Sequence, residues 1–202
     1  ATTHTCALNT TNSGFLVNLS DSIDKEALWD HCPEMVIEGN TIHLVWIGFK
    51  NQDSPLYYCR SVDLGKTWEK PRILARSKDT NYIRESRIRR LAVDGQKVHI
   101  AFYNTEGLYG KIYHILSSDG GTTFSQPKEL VSGFTGMSGY QIRAGKGKAA
   151  IAYVGDDSSS ASRKGLYLLF SGDGGNTFTD QKVYQSSNVM VDFLFEENQI
   201  VL

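Results

Sequence analysis

An eight-residue pattern, Ser-x-Asp-x-Gly-x-Thr-aromatic, occurs three times in this chain of 202 residues. It reads SVDLGKTW at Ser61–Trp68, SSDGGTTF at Ser117–Phe124 and SGDGGNTF at Ser171–Phe178, so successive copies begin 56 and 54 residues apart. Three copies that share five fixed positions at nearly constant spacing do not arise by chance. The chain is therefore predicted to consist of a repeated unit, and the period of that unit constrains the fold more than any other feature.

Each octapeptide lies inside a pattern of four strands. A run rich in aromatic and branched residues precedes each copy, as is typical of strands: Leu56–Arg60, Lys111–Leu116 and Leu166–Phe170. Further upstream, pairs of strand-like runs flank turn residues that tolerate positive φ angles: Gly39-Asn40, Asp94-Gly95-Gln96 and Gly145-Lys146-Gly147. A short apolar stretch follows each copy: Ile73-Leu74, Leu130-Val131 and Val183-Tyr184. Four short antiparallel strands per repeat predict an all-β fold of β-propeller blades.

The octapeptide is predicted to form the turn between the third and fourth strands of each blade. Its Asp can accept hydrogen bonds from backbone N–H groups of the turn, its Thr hydroxyl can support the Asp, and its Gly can adopt a left-handed conformation. Three equivalent carboxylates on three separate blades cannot converge on one substrate. We therefore assign the fixed positions to the fold and not to catalysis: Ser61, Asp63, Gly65, Thr67, Trp68, Ser117, Asp119, Gly121, Thr123, Phe124, Ser171, Asp173, Gly175, Thr177 and Phe178.

The octapeptide resembles the Asp-box, or BNR repeat, of the sialidase-like β-propellers. The resemblance is specific for the architecture and much less specific for function, because Asp-box propellers include exo-sialidases, some glucan hydrolases, sorting receptors and assembly factors. It implies an extracellular or cell-surface location, a glycan ligand and no cofactor. The chain itself shows no signal peptide.

The blade pattern predicts one propeller domain over residues 1–202, with blades at 33–75, 87–131 and 139–185. Residues 14–19 resemble the outer strand of a preceding blade, and residues 189–202 resemble the start of a further one. Two interpretations follow. The chain is half to two-thirds of a larger propeller, six-bladed by resemblance to sialidases, or its terminal pieces share one blade of a small ring. We favour the first, which predicts association with the remaining blades or self-association.

Composition excludes several classes of partner. The chain carries 21 basic and 22 acidic residues, which argues against a nucleic-acid ligand. No apolar run is long enough for a membrane span. The three cysteines, Cys6, Cys32 and Cys59, are expected to be unpaired thiols, and no His, Cys and carboxylate spacing predicts a metal site.

The topology of a propeller selects the candidate ligand site. Ligands bind at the mouth of the central channel, near the start of each innermost strand. The segment before the second blade holds Arg84, Arg87, Arg89 and Arg90 together with Glu85. Guanidinium groups pair bidentately with carboxylates, so Arg84, Arg87 and Arg89 predict an acidic sugar as the ligand. The alternative is that these arginines pair with acidic neighbours or face solvent.

Other residues in the corresponding segments extend this site. Trp29 can stack on a sugar ring, and Asp30 is a candidate general acid or base. Tyr140 and Arg143 are candidate substrate contacts near the start of the third blade. Because the resemblance implies a Tyr nucleophile assisted by a carboxylate, Tyr82 with Glu85 is a further catalytic candidate.

The family pattern leaves catalysis open. Sialidases hold the substrate carboxylate with three arginines, the first in a Phe/Tyr-Arg-Ile-Pro motif. The complete motif does not occur in this chain, and Arg87-Ile88 has the Arg-Ile pair without the aromatic residue and the Pro. Two hypotheses remain: a glycoside hydrolase of sialidase type, and a non-catalytic Asp-box propeller that binds a glycan or a protein.

Overall fold

The computed structural model describes residues 29–49, 54–77, 90–106, 109–134, 136–156, 165–184, 193–196 and 199–201. All regular secondary structure in these ranges is β-strand. Within them no helix is long and apolar enough to cross a membrane. The chain divides into two compact units, Ala1–Thr80 and Asn81–Leu202.

The first unit contains one antiparallel sheet of four strands in the order β1-β2-β3-β4. Its strands are β1 (Trp29–Glu38), β2 (Thr41–Phe49), β3 (Ser54–Ser61) and β4 (Arg72–Ser77). The aromatic side chain of Trp68, from the first octapeptide, packs on a buried cluster formed by Leu44, Trp46, Tyr57 and Cys59. The octapeptide thus contributes an apolar anchor to its own sheet.

Strand β1 starts earlier than the sequence pattern predicts. The pattern predicts that the first blade begins at residue 33, but β1 pairs with β2 from Trp29 onward, with a register shift between His31 and Glu34. Cys32 and Pro33 together lie opposite a single residue of β2. Two residues on one strand opposite one residue on its partner define a β-bulge. Pro33 has no N–H to donate, so a bulge accommodates it where a regular ladder would not.

The second unit contains two four-stranded antiparallel sheets, in the orders β5-β6-β7-β8 and β9-β10-β11-β12. The first of them consists of β5 (Leu91–Asp94), β6 (Lys97–Glu106), β7 (Tyr109–Ser117) and β8 (Lys128–Phe134). The second consists of β9 (Gly136–Gly145), β10 (Lys148–Asp156), β11 (Gly165–Ser171) and β12 (Thr179–Tyr184). A two-stranded hairpin follows, β13 (Leu194–Glu196) and β14 (Gln199–Val201).

Apolar side chains from β5–β8 and β9–β12 form a shared core between these two sheets. Its buried members are Ala92, Ala101, Ile112, Tyr140, Ile142, Ile151, Tyr153 and Leu169, with Phe178 of the third octapeptide packed against them. The opposite face of β9–β12 buries Ala150, Ala152, Val154 and Leu166 under Phe193. Alternate residues of β9–β12 are therefore covered on both faces, as expected for an internal layer.

An aromatic pair crosses the second and third strands of every described four-stranded sheet. The pairs are Trp46 with Tyr57, Phe102 with Tyr113 and Tyr153 with Tyr167. Each pair is in direct cross-strand register, with ring centroids 5.1–5.2 Å apart. Such pairs are a main unit of sheet stabilisation.

Candidate functional site

The octapeptides form closed turns whose polar side chains bond to one another. In the first turn, Asp63 accepts hydrogen bonds from the Thr67 hydroxyl at 2.6 Å, the Thr67 N–H at 2.8 Å and the Ser61 hydroxyl at 2.7 Å. The Gly65 N–H donates to Ser61 Oγ at 2.7 Å, and Gly65 has a φ of 87°. The second and third turns repeat these contacts around Asp119 and Asp173.

These hydrogen bonds hold the three carboxylates in the ionised form. The Thr67 hydroxyl and N–H, followed by the Ser61 hydroxyl, lower the pKa of Asp63 to about 2. The corresponding Thr and Ser groups hold the pKa of Asp119 and of Asp173 well below the usual range for aspartate. A carboxylate bonded in this way is a poor general acid near neutral pH because it carries no proton there, and it is a weak general base because its pKa lies far below neutral pH.

The octapeptide turns lie at the end of each sheet opposite to the start of its first strand. In the first sheet, the Leu64 N–H donates to the Asn40 carbonyl at 3.1 Å, and in the second sheet the Gly120 N–H donates to the Gln96 carbonyl at 2.8 Å. Asn40 and Gln96 belong to the turns between the first and second strands. Since neighbouring strands are antiparallel, the starts of β1, β5 and β9 lie at the other end of their sheets.

Two of the predicted ligand residues lie at the start of a first strand. Trp29 and Asp30 are the first two residues of β1, paired with Phe49 and Gly48. Five of the predicted residues lie outside the described residues: Tyr82, Arg84, Glu85, Arg87 and Arg89.

Tyr140 lies in the core between the two sheets of the second unit. Its side chain is 2% exposed, and its hydroxyl donates to the Ala101 carbonyl at 3.3 Å. The ring has no free face for a ligand in this position. Tyr140 therefore packs the sheets together, and we do not include it in the site proposed below.

Arg143 is half-buried on β9 and contacts the chain that follows the third sheet. Its Nε donates to the carbonyl of Phe193 at 3.0 Å. This bond links the first strand of one sheet to the residue just before the hairpin β13–β14. The guanidinium thus has a structural partner that the sequence pattern did not predict.

Arg90 is a buried residue of the arginine-rich segment that the sequence pattern did not single out as a ligand contact. It immediately precedes β5, it is 2% exposed, and its carbonyl accepts a hydrogen bond from the Ala101 N–H at 2.8 Å. Because side chains alternate between the two faces of a strand, the spacing in the sequence alone distinguishes Arg90 from Arg87 and Arg89.

The side chains of His43, Cys59, His99 and His114 are buried within their sheets. His43 Nδ1 lies 2.8 Å from the Tyr58 hydroxyl, and Cys59 Sγ donates to the Glu69 carbonyl at 3.0 Å. Cys59 is a free thiol. In the part of the chain that the structure describes, no three His, Cys, Asp or Glu side chains are grouped to hold a metal ion.

Each four-stranded antiparallel sheet, with its octapeptide turn and aromatic pair, has the fold of a β-propeller blade. Among solved structures, the chain is similar to a Trypanosoma rangeli sialidase in complex with 2,3-difluorosialic acid, with a TM-score of 0.53 and 16% sequence identity. The similarity covers 85% of this chain and 33% of the sialidase chain, so this chain spans about a third of that protein's length. At this identity the match defines the fold.

Two other similar structures have lower scores. A mutant of the T. rangeli sialidase displaying trans-sialidase activity matches at a TM-score of 0.48 and 16% identity, over 89% of this chain and 33% of its own. An ulvan lyase of polysaccharide lyase family PL25 matches at a TM-score of 0.44 and 12% sequence identity, over 80% of this chain and 36% of the lyase chain. No protein-family model matches the chain. No curated protein sequence matches it.

Proposed function

We propose that this chain is part of an Asp-box propeller that recognises acidic glycans at the mouth of its central channel. The observation that carries the proposal is the position of the start of β5, which lies at the end of its sheet opposite to the octapeptide turns. In the sequence, the arginine-rich residues 84–90 come immediately before this strand. The turns account for the repeated carboxylates and leave the other end of the sheets for ligand binding.

The proposed contacts are ionic and stacking contacts. Arg84, Arg87 and Arg89 pair with the carboxylate of a sialic or uronic acid, because a guanidinium matches a carboxylate bidentately. In the first unit, Trp29 at the start of β1 is a separate candidate for stacking on a sugar ring. The sialidase fold of the blades supports a glycan as the ligand class, and the T. rangeli structure holds a sialic acid derivative.

Direct binding experiments test the proposal. We expect the chain to bind sialosides or uronic-acid oligosaccharides in isothermal titration calorimetry, and the variants Arg87→Ala and Arg89→Ala each to weaken binding about tenfold or more. Arg76→Ala, an exposed arginine on β4, is the matched control and should change affinity less than about twofold. Binding of neutral and acidic sugars with equal affinity, or no binding of either, would contradict the proposal.

Turnover is measured with the same proteins on a fluorogenic α-sialoside. Hydrolysis that is lost in Glu85→Gln, Tyr82→Phe or Asp30→Asn, with glycan binding retained, would identify a glycoside hydrolase. Binding without turnover would identify a glycan-binding module.

A further inference from the structure

His99 and His114 form a buried pair on neighbouring strands of the second unit. His99 Nδ1 lies 3.2 Å from His114 Nε2, and the two rings are stacked with centroids 5.4 Å apart. The exposed fractions are 0% for His99 and 2% for His114. A hydrogen bond between two imidazoles needs one nitrogen to donate and one to accept, which two fully protonated rings cannot provide.

The third octapeptide turn covers this pair. A Cβ atom at Gly175 would lie 2.7 Å from His99 Cε1 and 3.3 Å from His114 Cε1, so the glycine backbone is in direct contact with both rings. Phe178 meets the His114 ring edge-on at a centroid distance of 5.0 Å. The sheet β9–β12 is thus joined to the sheet β5–β8 through the two histidines.

Two lysines hold the same turn from the other sheet. Lys97 Nζ donates to the carbonyls of Gly174 at 3.1 Å and Asp173 at 3.4 Å. Lys128 Nζ donates to the Asn176 carbonyl at 2.8 Å. The histidine pair therefore sits beside two cations.

The carboxylates of Asp94 and Asp173 have hydrogen-bond partners other than the two histidines. Asp94 on β5 accepts a hydrogen bond from the Gly147 N–H at 2.7 Å, and the Asp173 carboxylate is bonded within its own turn. Burial lowers the pKa of His99 to about 4, Lys97 lowers it further and Asp94 opposes the shift. Burial, His99 and Lys128 together lower the pKa of His114 to about 3.

The other described sheets carry different residues at the equivalent register positions. These positions hold His43 and Tyr58 in the first sheet and Ala150 and Leu168 in the third. Among the three described sheets, a two-histidine contact occurs in the second. An Ala and Leu pair is therefore compatible with this type of blade.

We propose that the His99–His114 pair is an acid-sensitive latch between two blades. The neutral pair holds the third octapeptide turn on the second sheet, and protonation of the pair releases that turn. The direction follows from the geometry: burial, Lys97 and Lys128 disfavour a positive charge on the two rings and outweigh the opposing charge of Asp94, whereas the released rings are hydrated.

The expected pH range follows from the histidine pKa values. The released state has the ordinary histidine pKa of about 6.5 and binds more protons than the latched state. The latch is therefore fully stable above about pH 6.5 and weakens as the pH falls toward 4, by up to about tenfold per pH unit for each proton taken up.

Hydrogen exchange on the full chain tests the latch. Exchange rates at pH 7.5 and 4.5 are divided by the intrinsic chemical rates at each pH. We expect opening of residues 171–178 to increase at least about tenfold at pH 4.5, while the amides of 149–154 in the same sheet stay protected. The double variant His99→Ala/His114→Leu, which copies the third sheet, should show an increase of less than about threefold.

Two results would overturn the proposal. One is an unchanged turn at pH 4.5 in the unsubstituted chain, and the other is an equal increase in the double variant. If that variant does not fold, the latch is tested by NMR titration of the ring Cε1–H signals in the unsubstituted chain. Rings that titrate near pH 6.5 with no change in the amide signals of 171–178 would reject the latch, and titration coupled to those signals supports it.

Discussion

The hydroxyl of Tyr140 donates to the carbonyl of Ala101, which lies 39 residues earlier in the chain, at 3.3 Å. This bond joins β9 to β6 in the shared core of the second unit. It illustrates how the blades of this protein depend on contacts between sheets as well as on the repeated turn.

Substitution of Gly175 by alanine should be strongly destabilising. A Cβ there would lie 2.7 Å from His99 Cε1, and Gly175 has a φ of 91°. Steric overlap and left-handed strain together predict a loss of about 2–4 kcal/mol in the free energy of unfolding. Urea denaturation at pH 7.5 measures it.

Two glycines of the hairpin between β9 and β10 serve as controls for this prediction. Gly147 has a φ of 73° and no atom within 4 Å of the point where an alanine Cβ would lie, so alanine there should cost about 1 kcal/mol from strain alone. Gly145 has equally open space and no positive φ, so alanine should change stability by less than about 0.5 kcal/mol. Equal effects at all three positions would show that the contact with His99 is unimportant.

Removal of the Thr67 hydroxyl should raise the pKa of Asp63. That hydroxyl bond, at 2.6 Å, is the largest cause of the lowered pKa of about 2. In Thr67→Val the ¹³C carboxyl signal of Asp63 should titrate closer to the ordinary value of about 3.9, whereas Thr67→Ser should leave it low.

The sign of the stability change follows from the same shift. Because the folded pKa of Asp63 is lower than the unfolded value, the stabilising contribution is present above about pH 3.9 and is lost as the pH falls toward 2. Thr67→Val should therefore flatten the acid dependence of unfolding in this range. A valine variant with an unchanged Asp63 titration would show that the hydroxyl bond does not control the carboxylate.

The stacked pair Phe102 and Tyr113 should show coupling beyond burial. The ring centroids are 5.2 Å apart and the ring planes differ by 13°. A double-mutant cycle with Phe102→Leu and Tyr113→Leu should give an interaction energy of about 0.5–1.5 kcal/mol in urea denaturation. The pair Phe102→Leu and Val183→Ala, in different sheets, should be additive, and similar coupling in both cycles would argue against stacking.

Cys59 should be chemically inert in the folded protein. Burial, and then the charge of Glu69, raise the pKa of this thiol to about 11, and the thiolate is the reactive form. Iodoacetamide at pH 8 should alkylate Cys59 at least about tenfold more slowly in the folded protein than in urea, as measured by peptide mass spectrometry. Comparable rates in the two conditions would show that the thiol is accessible.

Local features of the fold were predictable because short stretches of sequence encode them. The bonds among Ser61, Asp63, Gly65 and Thr67 lie within one octapeptide, so the residue types alone indicate the turn. The strand pattern around each octapeptide likewise predicted four-stranded antiparallel sheets, which the structure confirms. The start of β1 was missed because a bulge at Cys32 and Pro33 interrupts the alternation that marks a strand.

The sequence by itself determined the repeat, the turn chemistry and the class of fold. The tertiary structure decided which residues are covered: Tyr140 lies in the core, and His99 and His114 meet under Gly175. The physical reason is the distance along the chain between the residues that are in contact. A turn is closed by hydrogen bonds over four residues, whereas the contact of Gly175 with His99 joins two residues that are 76 positions apart in the chain and depends on how the faces of their sheets pack.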